Sequence, residues 1–177
     1  MDPANLLTSV SLATDCFSVS ISNSACLKRF GTREALASAT SFGSFQFLML
    51  CVGWLLGASV ISYIEDVDHW IAFALLLLVS IRMIKGGDPK MGSTVTLLAL
   101  SVATSVDAFS VGTAISLVGV DMLAPALTAG ISSFLLTLLG YRLGFRFGRT
   151  LGRNAERAGG LILVLIGIKV LIEHTVI

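Results

Sequence analysis

The sequence is short of charge. Of its 177 residues only 13% are Asp, Glu, Lys or Arg, whereas a soluble domain averages about 25%. The formal net charge is +1, so neither a basic surface for nucleic acid nor an acidic tail is present. Hydrophobic residues make up 55% of the chain. These proportions exclude an ordinary soluble domain and a nucleic-acid partner. They indicate an integral membrane protein surrounded by the lipid bilayer.

Motifs for ATP hydrolysis and for thiol redox chemistry are also missing. No GxxxxGK[ST] occurs, and the three cysteines, Cys16, Cys26 and Cys51, form no CxxC and all fall in the first half. A membrane thiol–disulfide carrier would use a cysteine in each half, so that class is disfavoured. A buried Cys is ordinarily a small hydrophobic residue. We therefore expect neither an enzyme nor a bound cofactor, and Met1-Asp2-Pro3 lacks the basic region of a removable signal peptide.

Six stretches are apolar and long enough to cross a bilayer, which takes about 20 helical residues. The connections after the first, third and fifth stretches carry Lys and Arg, and those after the second and fourth carry none. Because basic loops stay in the cytoplasm, this alternation predicts that both termini lie on the outer side. The predicted stretches are Ala4–Ala25, Ala35–Ile61, Trp70–Ile84, Thr94–Val118, Leu123–Gly144 and Ala158–Val176.

Two parts of the first half recur in the second. Ser9–Val19 and Ser101–Val111 share six identities in eleven positions, and Gly43–Gly57 and Gly130–Gly144 share six in fifteen. The repeated unit holds three predicted helices. Because three is odd, the two copies cross the membrane in opposite directions.

The predicted fold is therefore all-α and integral to the membrane, with six transmembrane helices arranged as two inverted-topology three-helix repeats. The repeats cover 1–87 and 91–177 of a single membrane domain that spans 1–177. Inverted repeats are typical of secondary transporters, whose site lies near the midplane at the repeat interface.

Each repeat places one carboxylate in the middle of an apolar helix. Asp15 and Asp107 stand in matching Asp-x-Phe-Ser-Val phrases at similar depth. An Asp at the centre of a membrane helix costs roughly 2.5–3.5 kcal/mol on insertion scales, which makes it a functional-site hypothesis. Residues three and four apart share a helix face, so hydroxyls flank each carboxylate. These hydroxyls belong to Ser11 and Ser18 in the first repeat and to Thr104 and Ser110 in the second.

Two such faces opposite each other form an oxygen-lined site that suits a hard or borderline divalent cation. Two structural alternatives remain open. The two carboxyl groups could form a protonated pair that bridges the helices, and each hydroxyl could bond to the carbonyl four residues earlier.

Three further polar residues lie within the predicted spans. Gln46 could supply a carbonyl ligand or hold an Asp, or it could form only a hydrogen bond between helices. Arg82 and Lys169 occupy equivalent positions of the two repeats. Each is a candidate gating residue or charge partner of a carboxylate, and the alternative is that its side chain extends to the interface.

Several motifs together resemble the bacterial manganese efflux pump family, MntP, of the lysine-exporter superfamily. They are the paired Asp-x-Phe-Ser-Val phrases, Gly43-x-x-Gln46 to Gly53-Trp54, His69–Phe73, Arg82-Met83-Ile84, Ala103–Gly112 and Gly159–Gly167. The resemblance covers nearly the whole chain. It implies a six-helix exporter of Mn(II) in the bacterial inner membrane, with Asp15 and Asp107 in the family's two essential acidic positions.

The sequence departs from the family pattern at three residues and in one loop. Cys16 stands where Ala is usual, Leu50 where Pro is usual, and Gln46 where some members carry Glu; the loop 85–90 is short. A thiolate favours softer ions such as Zn(II) or Cd(II). The repeats themselves differ at Cys16 against Ala108 and at Gln46 against Ser133, and we expect metal choice to depend on these positions.

The expected function is secondary-active export of Mn(II), the transported substrate, from the cytoplasm. Without an ATPase motif the energy must come from a gradient, and proton antiport is expected because the carboxylates can exchange protons for metal. Rocking of one repeat against the other would expose the site alternately. The alternatives are export of another divalent metal such as Cd or Zn, export of an amino acid or small cationic solute, and a channel.

Overall fold

Four long helices dominate the structure, which is a computed structural model. They are α1 (Pro3–Ala25), α2 (Thr32–Leu56), α3 (Thr94–Val118) and α4 (Leu123–Leu151). No strand occurs in the residues that the structure describes. Those residues are 3–25, 31–57, 70, 73–74, 77, 81, 94–119, 121–151, 161–166, 168–169 and 172.

The four helices correspond to the first, second, fourth and fifth predicted stretches, with two differences in length. The second stretch is shorter than predicted, because α2 ends at Leu56 and Gly57 follows with a φ of +46°. A positive φ favours glycine and ends the helix. The fifth is longer, because α4 continues beyond Gly144 to Leu151. Its last turns carry Arg146 and Arg149, whose long side chains can reach the membrane interface from a helix end.

Three of these helices are long and apolar enough to cross a membrane, judged by length and composition: Thr32–Leu56, Thr94–Val118 and Leu123–Arg149. The chain is therefore a multi-pass membrane protein. The 23 residues of α1 are also sufficient in length, but they include six serines. Ser9, Ser20 and Ser24 are buried, so part of the polarity of α1 is directed toward the protein interior.

The long helices pack as two parallel pairs. α1 lies along α4, and α2 lies along α3. Phe17 meets Gly140 and Ala25 meets Gly148, so residue numbers rise together along α1 and α4. The same holds for α2 and α3. Gly53 meets Phe109, and Gly57 meets Ser116.

The two pairs run in opposite directions. In one buried cluster Cys16 and Val19 of α1 meet Phe42 of α2 and Leu100 of α3. In the other, Leu12 of α1 meets Leu50 of α2 and Ala108 of α3. From the first cluster to the second, the residue numbers decrease along α1 but increase along α2 and α3. Helices α2 and α3 are therefore antiparallel to α1.

Glycine contacts hold the helices together at corresponding positions of the two sequence repeats. Gly53 lies against the carbonyl of Phe109, and its counterpart Gly140 lies against the carbonyl of Phe17. Where α2 crosses α4, a Cβ on Gly43 would lie 2.8 Å from the carbonyl oxygen of Gly130, and one on Gly130 would lie 3.1 Å from that of Gly43. Small residues allow such close approach in membranes, where packing rather than hydrophobic burial drives helix association.

The remaining predicted helices fall largely outside the described residues. Of the stretch 70–84 only residues 70, 73–74, 77 and 81 are described, all of them helical, and Arg82 lies outside. Of the stretch 158–176, residues 161–166, 168–169 and 172 are described as helical. The count of six helices and the division into 1–87 and 91–177 therefore remain predictions.

Candidate cation-binding site

The two predicted carboxylates line one cavity of about 310 Å³, which we call the carboxylate cavity. Asp15 reaches it from α1 and Asp107 from α3. These helices are antiparallel, so the two matching Asp-x-Phe-Ser-Val motifs approach each other near the middle of each helix. The other described residues that line the cavity are Thr8, Ser11, Leu12, Thr14, Val111 and Lys169.

Lys169 lies in the carboxylate cavity as the charge partner of one Asp. Its Nζ is 3.7 Å from Oδ1 of Asp15, and its side chain is 54% exposed, against 15% for Asp15. A charge held away from water needs a partner to offset its desolvation. Among the described residues that line the cavity, two carboxylates and one ammonium give a formal charge of −1.

Of the predicted hydroxyl ligands, only Ser11 lines the carboxylate cavity. Ser18 donates to the carbonyl of Thr14 at 2.9 Å, and Thr104 donates to that of Leu100 at 3.0 Å. This is the alternative of bonding to the carbonyl four residues earlier, which satisfies a hydroxyl inside an apolar helix. Ser110 is half-buried on α3 and is also absent from the described lining.

Thr8 and Thr14 also line the cavity, although neither is among the predicted ligands. A signal was present for Thr8, which precedes Asp15 by seven residues. Two helical turns bring such residues onto the same face. Thr14 carries no such signal, because adjacent residues on a helix point in different directions.

Gln46 lies away from the carboxylate cavity, at the centre of a second polar cluster. Its side chain is fully buried. Its Nε2 donates to the carbonyl oxygen of Thr104 at 2.6 Å and lies 3.4 Å from Sγ of Cys16. Gln46 thus forms a hydrogen bond between α2 and α3, and a contact to α1.

The second polar cluster also includes residues of α4. Ser133 borders the Cys16 thiol, as does Thr104, and Thr137 lies one turn beyond Ser133 on the same helix face. Both α4 side chains are fully buried. We call Cys16, Gln46, Thr104, Ser133 and Thr137 the interior cluster. It contains both Gln46 and Ser133, which occupy equivalent positions of the two repeats but differ in residue type.

A further cavity of about 350 Å³ opens at the N-terminal end of α3. It is lined by Thr94 and Leu97 of α3, together with Glu34 of α2 and Tyr141 of α4. Thr94 and Asp107 are separated by 13 residues, or about 20 Å along a helix at 1.5 Å per residue. The two cavities therefore lie at different depths, with the interior cluster between them.

The ligands available for a metal ion are mainly oxygens. Within the described parts of the chain, no group of three or more His, Cys, Asp or Glu could hold a metal ion. Two carboxylates must therefore be supplemented by hydroxyls, carbonyls or water. Hard cations such as Mg²⁺ and Mn²⁺ accept such ligands, whereas a structural zinc site prefers four nitrogen or sulfur donors.

Paired carboxylates in a cavity among the helices of a multi-pass membrane protein are typical of transporters. Comparison with known proteins identifies the branch of that class. Residues 29–171 match the family described as "Mntp: Putative manganese efflux pump". The chain therefore belongs to the MntP family of manganese efflux pumps.

Individual proteins with the same description and the name MntP are similar to this chain over nearly its whole length. The protein of Nitratidesulfovibrio vulgaris strain DP4 is 41% identical over an alignment of 184 residues, which covers 97% of this chain and 90% of the relative. That of Syntrophotalea carbinolica is 40% identical over 177 residues, covering 94% and 93%. That of Bacteroides thetaiotaomicron is 40% identical over 182 residues, covering 95% and 94%. No solved structure matches the chain.

Proposed function

We propose that this protein exports Mn(II) from the bacterial cytoplasm and that Asp15 and Asp107 bind the ion. The supporting observation is that these two carboxylates, one from each sequence repeat, share a cavity of about 310 Å³. The relatives named as manganese efflux pumps support the choice of ion. Ser11 and water would complete the shell. Ser18, Thr104, Ser110 and Gln46 would join it only after the helices rotate.

In this proposal Lys169 and the metal ion compete for Asp15. The ammonium group lies 3.7 Å from the carboxylate and its side chain is 54% exposed, so the described protein does not enclose it and it can move away from Asp15. When the ion leaves, the ammonium returns and stabilises the empty cavity. We assign Lys169 this gating role. Arg82, its counterpart in the sequence repeat, would act similarly in the other half.

Proton antiport is the proposed source of energy. A carboxylate binds either a proton or a metal ion, so protons that enter from outside would release Mn(II) from Asp15 and Asp107. The protein would lie in the inner membrane with both termini outside, which is the orientation that the basic loops favour.

An inverted repeat is part of the proposal, and two observations support it. The glycine contacts recur at corresponding positions of the repeats, and α1 runs opposite to α3. The long interfaces, α1 with α4 and α2 with α3, join one repeat to the other. Rocking of whole repeats would open both of these interfaces, whereas movement between the pairs would shift only the smaller α2–α4 and α1–α3 contacts. We therefore place the movement between the two parallel pairs, α1–α4 and α2–α3.

A metal panel tests the proposed function. Purified protein in vesicles should transport Mn(II), and an imposed pH gradient should accelerate transport at least severalfold. Cd(II), Zn(II), Mg(II) and lysine, assayed in parallel, test the alternative substrates. Transport of lysine without Mn(II) would contradict the proposal, and transport of Mn(II) that is insensitive to pH would remove proton coupling alone.

Removing the Lys169 ammonium should tighten Mn(II) binding. In Lys169→Met, the cavity loses the positive charge that competes for Asp15. Because Lys169 is partly exposed and its charge is screened, we expect about a threefold to tenfold gain in affinity. Electron paramagnetic resonance of free Mn(II) measures this directly. Arg142→Met, which removes an exposed cation of α4 outside the cavity lining, is the matched control. Unchanged or weaker binding in Lys169→Met would refute the competition.

Cross-links within a parallel pair should leave transport intact. The hydroxyls of Ser9 and Thr128 lie 2.8 Å apart between α1 and α4, and those of Ser41 and Ser101 lie 2.7 Å apart between α2 and α3. Cysteine pairs at these positions, in a background without native cysteines, should form disulfides on oxidation and retain most of the Mn(II) transport rate. Rocking of one repeat against the other predicts instead that either disulfide blocks transport until it is reduced.

A further inference from the structure

We propose that the interior cluster is a second cation-binding site, next to the carboxylate cavity, whose ligands are uncharged. We call this second site the station. The identity of its cargo rests on the proposed function, since the ion would be the one that the carboxylates bind. Its oxygen donors would be Gln46, Ser133 and Thr137, and the thiol of Cys16 would give the station affinity for soft ions.

Two fully buried oxygen atoms in this cluster, Gln46 Oε1 and Thr137 Oγ1, have no hydrogen-bond partner within the described residues. A third, Ser133 Oγ, has only the thiol of Cys16 beside it, which is a weak hydrogen-bonding group. Buried polar atoms in native proteins are nearly always hydrogen-bonded, and an exception calls for a water molecule or an ion. Two such exceptions and one weakly bonded hydroxyl, on two crossing helices, indicate a common ligand. Packing alone gives no reason for these buried oxygens, since an apolar side chain of similar size would fill the same space.

The geometry fixes which atom of the Gln46 amide is available. Its Nε2 is held by the carbonyl oxygen of Thr104 at 2.6 Å and faces the Cys16 thiol at 3.4 Å. The opposite orientation would set the amide oxygen against that carbonyl oxygen, with no proton between them. The amide oxygen is therefore the free acceptor. It belongs to a side chain that also contacts the thiol bordered by Ser133.

The cluster lies on the path between the two cavities. Cys16 follows Asp15 directly, and Thr104 precedes Asp107 by three residues, about 4.5 Å along the helix. On α4, Thr137 lies one turn before Tyr141, which lines the cavity that contains Glu34. An ion that moves from that cavity to the carboxylates would pass these oxygens.

Uncharged donors suit such an intermediate position. Passage of an ion requires that each site bind well enough to be entered and weakly enough to be left. Amide and hydroxyl oxygens replace part of the water shell of Mn(II) without adding charge. A soft ion would in addition engage the Cys16 sulfur, and Cd²⁺ can therefore report on this station selectively.

Cd²⁺ titration in nanodiscs tests the station through the sulfur-to-cadmium charge-transfer absorption. Cys26 and Cys51 are replaced by Ala, so that Cys16 is the only thiol. We expect an absorption band that Cys16→Ala removes and that the pair Asp15→Asn with Asp107→Asn retains. Ser133→Ala and Thr137→Val should each weaken Cd²⁺ binding about tenfold. Ser101→Ala is the matched control, because this buried hydroxyl already has Ser41 as its partner at 2.7 Å.

Gln46→Glu keeps the test informative if the other variants fold poorly. A carboxylate in place of the amide should tighten Cd²⁺ binding at least tenfold, which misfolding cannot do. No band in the Cys16-only protein, or equal Cd²⁺ affinities in Ser133→Ala, Gln46→Glu and Ser101→Ala, would overturn the station. Absence of Mn(II) transport in vesicles would overturn the proposed function instead, since the cadmium band does not depend on transport.

Discussion

Asparagine in place of Asp15 or Asp107 should lower the rate of Mn(II) export at least a hundredfold. Each substitution keeps the shape of the side chain and removes one of the two negative charges in the carboxylate cavity. Two unit charges 4 Å apart attract by about 4 kcal/mol at the effective dielectric constant of a protein. Because 1.4 kcal/mol corresponds to a factor of ten, losing most of that attraction is enough to lower the export rate a hundredfold. Uptake of radioactive manganese into inverted vesicles measures it.

Asp121→Asn is the control for this pair. Asp121 is an exposed carboxylate between α3 and α4, where it accepts the backbone N–H of Leu123 at 3.3 Å. The same chemical change there should leave export within twofold of the wild type. Normal manganese tolerance of cells that carry Asp15→Asn or Asp107→Asn, with the protein inserted at normal levels, would rule out the carboxylate cavity as the site.

Alanine in place of Gly53 should destabilise the packing of α2 against α3. The added Cβ would overlap the carbonyl oxygen of Phe109 and lie 3.0 Å from its carbonyl carbon. A backbone atom cannot move aside as a side chain can. Alanine favours a helix over glycine by about 1 kcal/mol, but overpacking costs about 1–3 kcal/mol and sometimes more, so the overlap dominates. An overlap with a backbone atom belongs at the upper end of that range, about 3 kcal/mol, so we expect a net loss of about 2 kcal/mol.

The corresponding substitution in the other pair should cost less. A Cβ on Gly140 would lie 2.6 Å from the carbonyl oxygen of Phe17, a milder overlap than at Gly53. Ala114→Val, which adds volume on the exposed face of α3, should change stability by under about 0.5 kcal/mol. Thermal aggregation followed by size-exclusion chromatography ranks the variants. If Gly53→Ala is as stable as the wild type, the close contact between α2 and α3 is absent.

Local signals in the sequence predicted the four long helices that the structure describes, among six expected, and the approach of the two carboxylates. The positions of α1 to α4 follow from apolar length, and the meeting of Asp15 with Asp107 follows from the repeat. The pairing of α1 with α4 was not predictable in this way. A membrane helix is apolar on nearly all sides, so its pattern does not reveal which face contacts which neighbour.

The ligand shell around the carboxylates was less predictable, for a physical reason. A hydroxyl in an apolar helix always has a backbone carbonyl within reach, and Ser18 and Thr104 use it. Spacing alone places such a residue on a face without saying which acceptor it chooses. The partner of Gln46 was likewise undetermined, because the carbonyl of Thr104 is a backbone atom and leaves no trace in the sequence.

The parallel pairing of α1 with α4 also constrains how the protein is made. Ser9 and its partner Thr128 are 119 residues apart. At about 5–20 residues per second, the ribosome needs about 6–24 seconds to deliver the partner of α1. During that time the buried serines of α1 have no neighbouring helix from α4 to cover them. Helix α1 must therefore remain in the membrane without its partner helix, shielded by the insertion machinery or by lipid. A chain that stops after α2 should be degraded instead of folding.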